Sequence, residues 1–600
     1  MPIPRPQSVN ALRTVVELPT LIFEKNVDIP LKDGEGVCRA NVYKPKAEGR
    51  YPVLMTYGPY GKDVPYAKYY GPSFDEVPKE HQSENSAWEV PSPEYWTAQG
   101  YVVVRVDERG IGSSYGFLDT MSDQTSSDFA EVIEWAAEQQ WSSGKIGLLG
   151  ISYYGGSQWR VAARRPKGLA CIIPWEGMTD YYRDRVRHGG IYSSRFVDFW
   201  WNNQVRVMQY GMEKRSSRRF GPWTGPPVGP DCLEGTLTEE ELVANRRDQT
   251  EDNRNHRYLD EPYHHSRVYN LSDIDVPVLS VANLGGILLH LRGNVIGYME
   301  AGSKNKWLHF ISGRHDLPFY LPHYVKLQKS LAIVLDCWLK GEDSEGWSEG
   351  PNVKVPAVSL LVRKGDPGYN SNEAEATFKS RYESTWPLER TDYRQYFLTH
   401  QAKLSKDADD VEGTFELQGL GRSDPVHFEC VFDEETEIAG HPTANLVFSV
   451  QERPDGTAPT DLDLFVTLRH IGANGKEIFY TGTAGDPVPL AKGWLRASMR
   501  AVNESSPKHR EWLPYREYRS VDVQSVEPNT RYDLLVEIWP TACVIEAGGK
   551  IVLEVHTGDT QGSGLFLHND PVDRDEKTFV GTNLLHVGGN NASWLKLPVV

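Results

Sequence analysis

The sequence predicts an α/β protein with a parallel sheet, a helical insertion and an all-β domain at the C-terminal end. Strand-like and helix-like segments alternate from about Pro93 to Pro174 and again from about Val276 to Leu339. This alternation is typical of a parallel sheet covered by helices on both faces. The alternation of strands and helices is absent from the segment between Gly177 and Tyr269, which is rich in Arg, Trp and Tyr. Beyond Pro351, short alternating strands separated by Gly, Asp, Asn and Pro turns indicate a β-sandwich.

Size and charge narrow the class of protein. The chain has 600 residues, too many for one ordinary core, and a formal net charge of −18. This charge argues against binding to nucleic acid or to an anionic membrane surface. No stretch reaches the roughly 18 apolar residues of a membrane span, and the first residues lack the apolar segment of a secretion signal. The six cysteines form no C-x-x-C pair. We therefore expect a cytoplasmic protein without metal or cofactor.

The elements before the insertion follow from residue periodicity. β-branched or alternating runs predict strands, and the segment Ser127–Gln140 is an amphipathic helix with Phe129, Val132 and Ile133 on one face. The predicted strands are Val27–Leu31, Val37–Tyr43, Tyr51–Tyr57, Tyr101–Val106, Lys145–Leu149 and Leu169–Pro174, and the other predicted helices are Pro93–Gln99 and Gly156–Ala163.

The insertion and the segment after it are predicted in the same way. Thr238 followed by Glu239, Glu240 and Glu241 is typical of a capped helix start within the insertion. The strand and helix pattern then resumes. The predicted strands are Val276–Ala282 and Trp307–Ile311, and the predicted helices are Leu289–Ala301 and Tyr324–Leu339.

One hexapeptide carries a candidate nucleophile. Gly150-Ile151-Ser152-Tyr153-Tyr154-Gly155 joins the strand Lys145–Leu149 to the helix Gly156–Ala163. A serine on such a sharp turn carries its hydroxyl out of the sheet, beside the free N–H groups of the helix N-terminus. The generic G-x-S-x-G pattern has glycine where Tyr154 stands, so an ordinary strand-to-helix turn is the alternative.

A series of further motifs runs along the chain in a fixed order. They are Gly58-Pro59-Tyr60-Gly61-Lys62, Asp107-Glu108-Arg109-Gly110-Ile111-Gly112-Ser113-Ser114, the Ser152 hexapeptide, Arg292-Gly293-Asn294, the His315 loop, Trp338-Leu339-Lys340-Gly341, Gly493-Trp494-Leu495-Arg496-Ala497-Ser498 and His586-Val587-Gly588-Gly589. Together they resemble the family of cocaine esterase, the α-amino acid ester hydrolases and the X-Pro dipeptidyl-peptidases (CocE/NonD). The resemblance covers about Phe23 to Leu597, and the hexapeptide fits this family's own G-x-S-Y-x-G form.

The resemblance implies both the domains and the catalytic roles. It implies an α/β-hydrolase domain at residues 1–176 and 271–355, an inserted helical cap at 177–270 and a C-terminal jelly roll at 356–600. Ser152 is then the nucleophile that attacks an ester or amide carbonyl, and His315 is the general base. The oxyanion hole comprises the Tyr153 N–H and the Tyr60 hydroxyl.

The triad acid departs from the family pattern. The family's esterases carry an aspartate after the strand that corresponds to Val276–Ala282, where this chain has Asn283 and no carboxylate up to Leu289. We expect Glu176 to replace it, because it follows the strand next to the nucleophile strand and keeps the chain order Ser, acid, His. Asp180 is the alternative acid, and Asp316 is a poor third choice because neighbours in sequence rarely face each other. The alternative to a catalytic role for Glu176 is an ion pair with Arg183 or Arg185.

Three functions are compatible with these residues. The first is a serine hydrolase of esters, lactones or amides, and the second is an acyltransferase that uses the same acyl-enzyme. The third is a binding or other non-hydrolytic protein with a degenerate triad. The aromatic residues of the cap favour an apolar or aromatic small-molecule substrate. The sequence leaves the oligomeric state open, a homo-oligomer included.

Overall fold

The computed structural model describes residues 13–212, 236–316, 331–590 and 593–600. The first seven residues of the predicted helix Tyr324–Leu339 lie outside these ranges. Its described end, from residue 331, is helical and finishes in a π-turn at Asp336–Lys340. Gly341 follows with φ 79°, a left-handed conformation that favours glycine at a helix end.

A mixed sheet forms the centre of the first part of the chain. Its strands run in the order β1-β2-β3-β5-β4-β6-β7-β10-β11-β12-β13, and all the pairs from β5 to β12 are parallel. Because β7 pairs with β10, the segments before and after the insertion form one continuous sheet, as predicted. The strands are β1 (Thr14–Glu17), β2 (Leu21–Pro30), β3 (Val37–Pro45), β4 (Tyr51–Gly58), β5 (Val102–Asp107), β6 (Ser142–Ile151), β7 (Leu169–Trp175), the cap strands β8 (Arg187–His188) and β9 (Ile191–Tyr192), then β10 (Val278–Asn283), β11 (Lys306–Ile311), β12 (Val358–Lys364) and β13 (Lys379–Glu383).

Helices cover this sheet and build the cap. Helix α4 begins where the Ser122 side chain accepts from the Thr125 N–H, and it packs Phe129, Val132 and Ile133 on the sheet. The cap helix at Thr238 begins with the predicted capping box, in which Thr238 and Glu241 bond each other's backbone. The helices are α1 (Tyr66–Tyr69), α2 (Gly71–Glu76), α3 (Pro93–Ala98), α4 (Asp123–Glu138), α5 (Tyr153–Ala162), α6 (Ser194–Trp200), α7 (Glu239–Ala244), α8 (Gln249–Asn255), α9 (Pro262–His265) and α10 (Leu291–Glu300), with π-turns at Tyr181–Val186 and Trp201–Val205.

The C-terminal part is a β-sandwich. One sheet contains β14 to β16, β18, β19, β25, β26, β28 and β29, and the other contains β17, β20, β21, β24 and β27. Two short helices, Asn372–Glu375 and Glu576–Phe579, accompany them. The strands are β14 (Asp392–Leu398), β15 (Leu404–Ser405), β16 (Gly413–Gln418), β17 (Val426–Val431), β18 (Thr436–Gly440), β19 (Thr443–Val450), β20 (Asp463–Ile471), β21 (Glu477–Ile478), the pair β22 (Tyr480–Thr481) and β23 (Pro487–Val488), then β24 (Ala491–Arg496), β25 (Tyr532–Glu537), β26 (Thr541–Ile545), β27 (Lys550–His556), β28 (Thr582–Val587) and β29 (Trp594–Val599).

Strand β12 connects the two sheet systems. The sequence places it in the β domain, but its first half pairs with β11 in the central sheet, where Leu308 faces Val358. Its last residues, Arg363 and Lys364, pair with β26 of the sandwich. The predicted division at residue 355 therefore falls just before a strand that belongs to both parts.

A buried ion cluster ties the cap to the β domain. Asp573 lies 2.6 Å from Arg187 of the cap and 2.9 Å from Arg496 of β24, and all three side chains are buried. Arg496 also donates to Gly189 through a backbone N–H, across the tip of the β8–β9 hairpin. The cap is therefore held in place by the domain that follows the catalytic sheet.

We expect Asp573→Asn to lower the free energy of unfolding by roughly 3–5 kcal/mol, because it leaves two buried arginines with less compensation. Asp410→Asn, at an exposed position, should change it by less than about 0.5 kcal/mol. Urea denaturation followed by circular dichroism measures both variants. Equal stabilities would show that the cluster does not hold the cap.

Candidate active site

Ser152 lies on a strained turn between β6 and α5. Its backbone has φ 61° and ψ −119°, and its N–H donates to the Trp175 carbonyl at 3.1 Å. A Cβ on Gly155 would come within 2.7 Å of that same carbonyl oxygen. This close approach explains why the second glycine stands at 155 rather than at 154. The turn is that of a nucleophile elbow, with the serine only partly buried.

Two groups are placed to donate to an oxyanion. The Tyr60 hydroxyl lies near the Ser152 side chain and accepts from Trp200 Nε1 at 2.9 Å. Tyr153 is the first residue of α5, so its N–H belongs to the turn that has no intrahelical acceptor. Burial, and then the nearby Glu89 carboxylate, raise the pKa of Tyr60, which keeps the hydroxyl protonated.

Glu176 reaches His315, as the sequence predicts. Its Oε2 lies 2.9 Å from His315 Nδ1, and its Oε1 accepts from Asn283 Nδ2 at 3.1 Å. Asn283 also donates to the Gly313 carbonyl at 2.7 Å, so it connects the carboxylate to the His315 loop. The family's aspartate position therefore holds an amide that orients a carboxylate from the neighbouring strand.

The expected hydrogen bond between Ser152 and His315 is not present among the described residues. Ser152 Oγ instead lies 3.3 Å from His290 Nε2. His315 Nε2 forms an ion pair with Glu89 Oε1 at a distance of 2.9 Å. This contact is not a hydrogen bond, because the N–H does not point at the oxygen. The His290 and His315 rings stack at 5.0 Å with an angle of 8° between their planes. The site thus holds two histidines and two glutamates.

Asp180 and the cap arginines lie elsewhere. Asp180 accepts from the N–H groups of Tyr182 and Arg183 and pairs with the Arg183 side chain at 2.5 Å. Its pKa is low because the nearby arginines outweigh the effect of burial. Asp316 pairs with Arg314 at 3.1 Å. In this structure neither aspartate contacts His315, and Glu176 pairs with neither Arg183 nor Arg185.

Burial and charge set the protonation of the two histidines in opposite directions. Burial alone would lower the pKa of His315, but Glu176 and then Glu89 outweigh it and raise the pKa to about 10. Burial, then the charge of His315 and that of Arg185, hold the pKa of His290 well below its usual range. Burial raises the pKa of Glu89 to about 7 even though His315 opposes this. At neutral pH, His315 is therefore charged and His290 neutral.

Sequence reasoning missed Glu89 and His290. Glu89 lies in the irregular segment between Gly61 and Pro91, and its backbone is left-handed with φ 63°. It is anchored next to the nucleophile because its carbonyl accepts from the Ile151 N–H at 3.1 Å. His290 comes just before α10, one residue beyond the segment searched for an aspartate. One sequence signal could have found both residues. Each is a titratable residue in a loop near the carboxyl ends of the strands.

Comparison with known proteins places the chain in a class. Residues 33–316 match the family model described as X-Pro dipeptidyl-peptidase (S15 family), and residues 353–596 match the X-Pro dipeptidyl-peptidase C-terminal non-catalytic domain. Ser152, His315, Glu176 and Glu89 all fall within the first match. The two matches follow each other along most of the chain, and the protein is a serine hydrolase.

Individual relatives agree with this class. A putative serine esterase of Mycobacterium bovis is 23% identical over 532 residues, which span 77% of this chain and 79% of that protein. Cocaine esterase of a Rhodococcus species is 32% identical over 161 residues, 26% of this chain and 24% of that enzyme. A CocE/NonD family hydrolase from Staphylococcus aureus has the same fold, with a TM-score of 0.79, 24% identity and coverage of 99% and 98% of the two chains. These comparisons do not favour acyl transfer or a purely binding role.

No group of three or more His, Cys, Asp or Glu side chains in the described ranges is arranged to hold a metal ion. In the same ranges, no helix is both long and apolar enough to cross a membrane.

We expect Glu176→Gln to lower the pKa of His315 by at least one unit, because it removes the larger of the two charges that raise it. In the parent protein the His315 imidazolium should persist above pH 8 and lose its proton near pH 10. NMR of protein labelled with ¹⁵N-histidine measures both midpoints, and the signal missing in His315→Gln gives the assignment. A parent midpoint near the ordinary value of about 6.5 would contradict the ion pairs described here.

Proposed function

We propose that this serine hydrolase cleaves an ester, lactone or amide of a small molecule through an acyl-enzyme on Ser152. The observation that supports this most directly is the strained Ser152 turn, which places the hydroxyl beside Tyr60, an imidazole and a helix N-terminus. Strain of this kind is retained where it presents a nucleophile. Attack gives a tetrahedral oxyanion, which the Tyr60 hydroxyl and the Tyr153 N–H stabilise.

His315 is the proposed general base, with Glu176 as the acid that orients it. The Nδ1–H bond to Glu176 fixes the tautomer and stabilises the imidazolium formed when Ser152 loses its proton. Before that step, His315 must lose its Nε2 proton to solvent, and Glu89, which lies 2.9 Å away, is placed to relay it. Nε2 then carries the lone pair that receives the serine proton. As the tetrahedral intermediate collapses to the acyl-enzyme, the same imidazolium protonates the leaving group.

His290 is the second candidate base, because its Nε2 already lies 3.3 Å from Ser152 Oγ. Its neutral imidazole has a free lone pair at neutral pH. Two observations count against it. Its Nδ1 has no hydrogen-bond partner in the described part of the chain, and a proton on this ring would face the charge of His315. Its proposed role is to hold the serine hydroxyl in the resting enzyme.

The kind of substrate and the location of the protein remain predictions. The relatives' names refer to esterases and peptidases, and a small-molecule substrate is the proposed partner here. Most cap aromatics are buried, so they support the predicted apolar or aromatic substrate only where they border Tyr60, as Trp200 does. A cytoplasmic location is a prediction from the sequence, which leaves the oligomeric state open.

We expect Ser152→Ala to lower kcat on 4-nitrophenyl esters by on the order of 10⁴-fold or more, with the melting temperature unchanged within about 2 °C. A fluorophosphonate probe should label the parent protein and the control Ser157→Ala, whose hydroxyl lies on α5 and donates to the Tyr57 carbonyl at 3.5 Å. The probe should not label Ser152→Ala. Retained turnover or labelling in that variant would exclude Ser152 as the nucleophile.

The pH dependence of kcat/KM separates the two candidate bases. If His315 is the base, kcat/KM should rise as the pH increases from 7 towards 10, because the base is protonated below its raised pKa. Glu89→Gln removes one charge that raises this pKa, so the rise should move to lower pH. A profile that is flat above pH 6.5, together with a larger loss of kcat in His290→Gln than in His315→Gln, would assign the base to His290.

A further inference from the structure

Arg185 is a buried arginine without an acidic partner among the described residues. Only 1% of its surface is exposed, and neither Nη1 nor Nη2 has a hydrogen-bond partner among the described residues. Its neighbours two positions away differ: Arg183 pairs with Asp180 at 2.5 Å and Arg187 with Asp573 at 2.6 Å. A buried guanidinium with unsatisfied donors destabilises the free protein, so its retention needs a reason other than stability.

Aromatic rings cover the faces of this guanidinium. Its central carbon lies 4.4 Å from the ring centre of Trp200, 5.3 Å from that of Tyr181 and 5.8 Å from that of Phe196. Such cation–π contacts hold the planar group in one orientation and recover part of the cost of burial. They leave the N–H donors along its edge unused. An arginine held in this way is organised to bind a planar anion through two parallel hydrogen bonds.

The same residues connect Arg185 to the nucleophile. Trp200, which carries the guanidinium on its ring face, donates through Nε1 to the Tyr60 hydroxyl at 2.9 Å. Tyr60 in turn lies near Ser152. The charge of Arg185 also helps to lower the pKa of His290, so the guanidinium acts electrostatically on that ring as well. Both carboxylates of the site, Glu89 and Glu176, are engaged by His315 and not by Arg185.

We propose that Arg185 binds a carboxylate of the substrate, so that the enzyme acts on esters or amides that carry an ionised carboxylate in addition to the scissile carbonyl. This proposal rests on the proposed function of Ser152 and specifies its substrate class. Arg185 is a binding and positioning residue that takes no part in proton transfer. The carboxylate satisfies the unused donors, and the apolar walls provided by Trp200 and Phe196 strengthen the ion pair by excluding water.

The first experiment measures binding without turnover. Titration calorimetry of the full-length protein with succinate, glutarate and adipate should show binding of at least one of these dicarboxylates. Arg185→Met should weaken this binding at least tenfold, whereas Arg195→Met, which removes a charge from an exposed position on α6, should not change it. If the parent binds none of the three, or binds them as tightly as Arg185→Met does, the proposal is overturned, whatever the esterase activity.

The second experiment measures selectivity. The parent should hydrolyse the 4-nitrophenyl monoester of the best-bound dicarboxylic acid with a kcat/KM at least tenfold above that for the uncharged alkanoate ester of equal length. Arg185→Met should abolish this preference, mainly through KM, while Arg195→Met keeps it. An equal loss on both esters would indicate a structural role and overturn the proposal. If the parent hydrolyses neither ester, the proposed function fails while the binding result for Arg185 stands.

Thermal melting checks that the Arg185 variant is folded. Arg185→Met should melt at or above the temperature of the ligand-free parent, because it removes an uncompensated buried charge. Arg187→Met, which breaks a buried ion pair with Asp573, should melt several degrees lower. A large loss of stability in Arg185→Met would instead make the arginine a structural element of the cap and overturn the proposal.

Discussion

The contact between His315 and Glu176 is the interaction on which the rest of the site depends. Two buried glutamates face one histidine, and one positive charge must compensate both. Glu176 leaves β7 with a left-handed backbone, φ 44°, and its N–H bonds to the Val281 carbonyl of β10. Asn283, at the end of β10, then fixes the carboxylate through one of its oxygens. The proposed acid therefore lies one strand away from the family's usual position, and the amide in that position holds its carboxylate.

This displacement could be predicted from the sequence because it follows from strand order. Parallel strands end at the same edge of the sheet, so a glutamate after the strand next to the nucleophile strand lies near the same histidine. The elbow at Ser152 and the continuity of the sheet across the cap followed from residue pattern in the same way. Each of these features depends on local periodicity and on the order of a few elements.

The partners of the two histidines could not be predicted in this way. Glu89 and His290 come from loops whose paths are set by contacts with distant residues, such as the bond between the Glu89 carbonyl and Ile151. No periodicity marks a loop residue that turns inwards. That Arg185 has no acidic partner in the described part of the chain was equally inaccessible, since Arg183, Arg185 and Arg187 look alike in sequence. Only the packed structure shows that two of these arginines meet aspartates and that the third meets aromatic rings.

The strand shared between the two sheet systems has a consequence for how the protein folds. Without β12, strand β11 would be an open edge with unpaired N–H and carbonyl groups, just before the His315 loop. The β domain also accepts a hydrogen bond from the His315 backbone through the Thr483 carbonyl. The two parts therefore cannot form independently. Their unfolding should be a single cooperative transition, and a fragment that ends before Val358 would lack the edge that completes its own sheet.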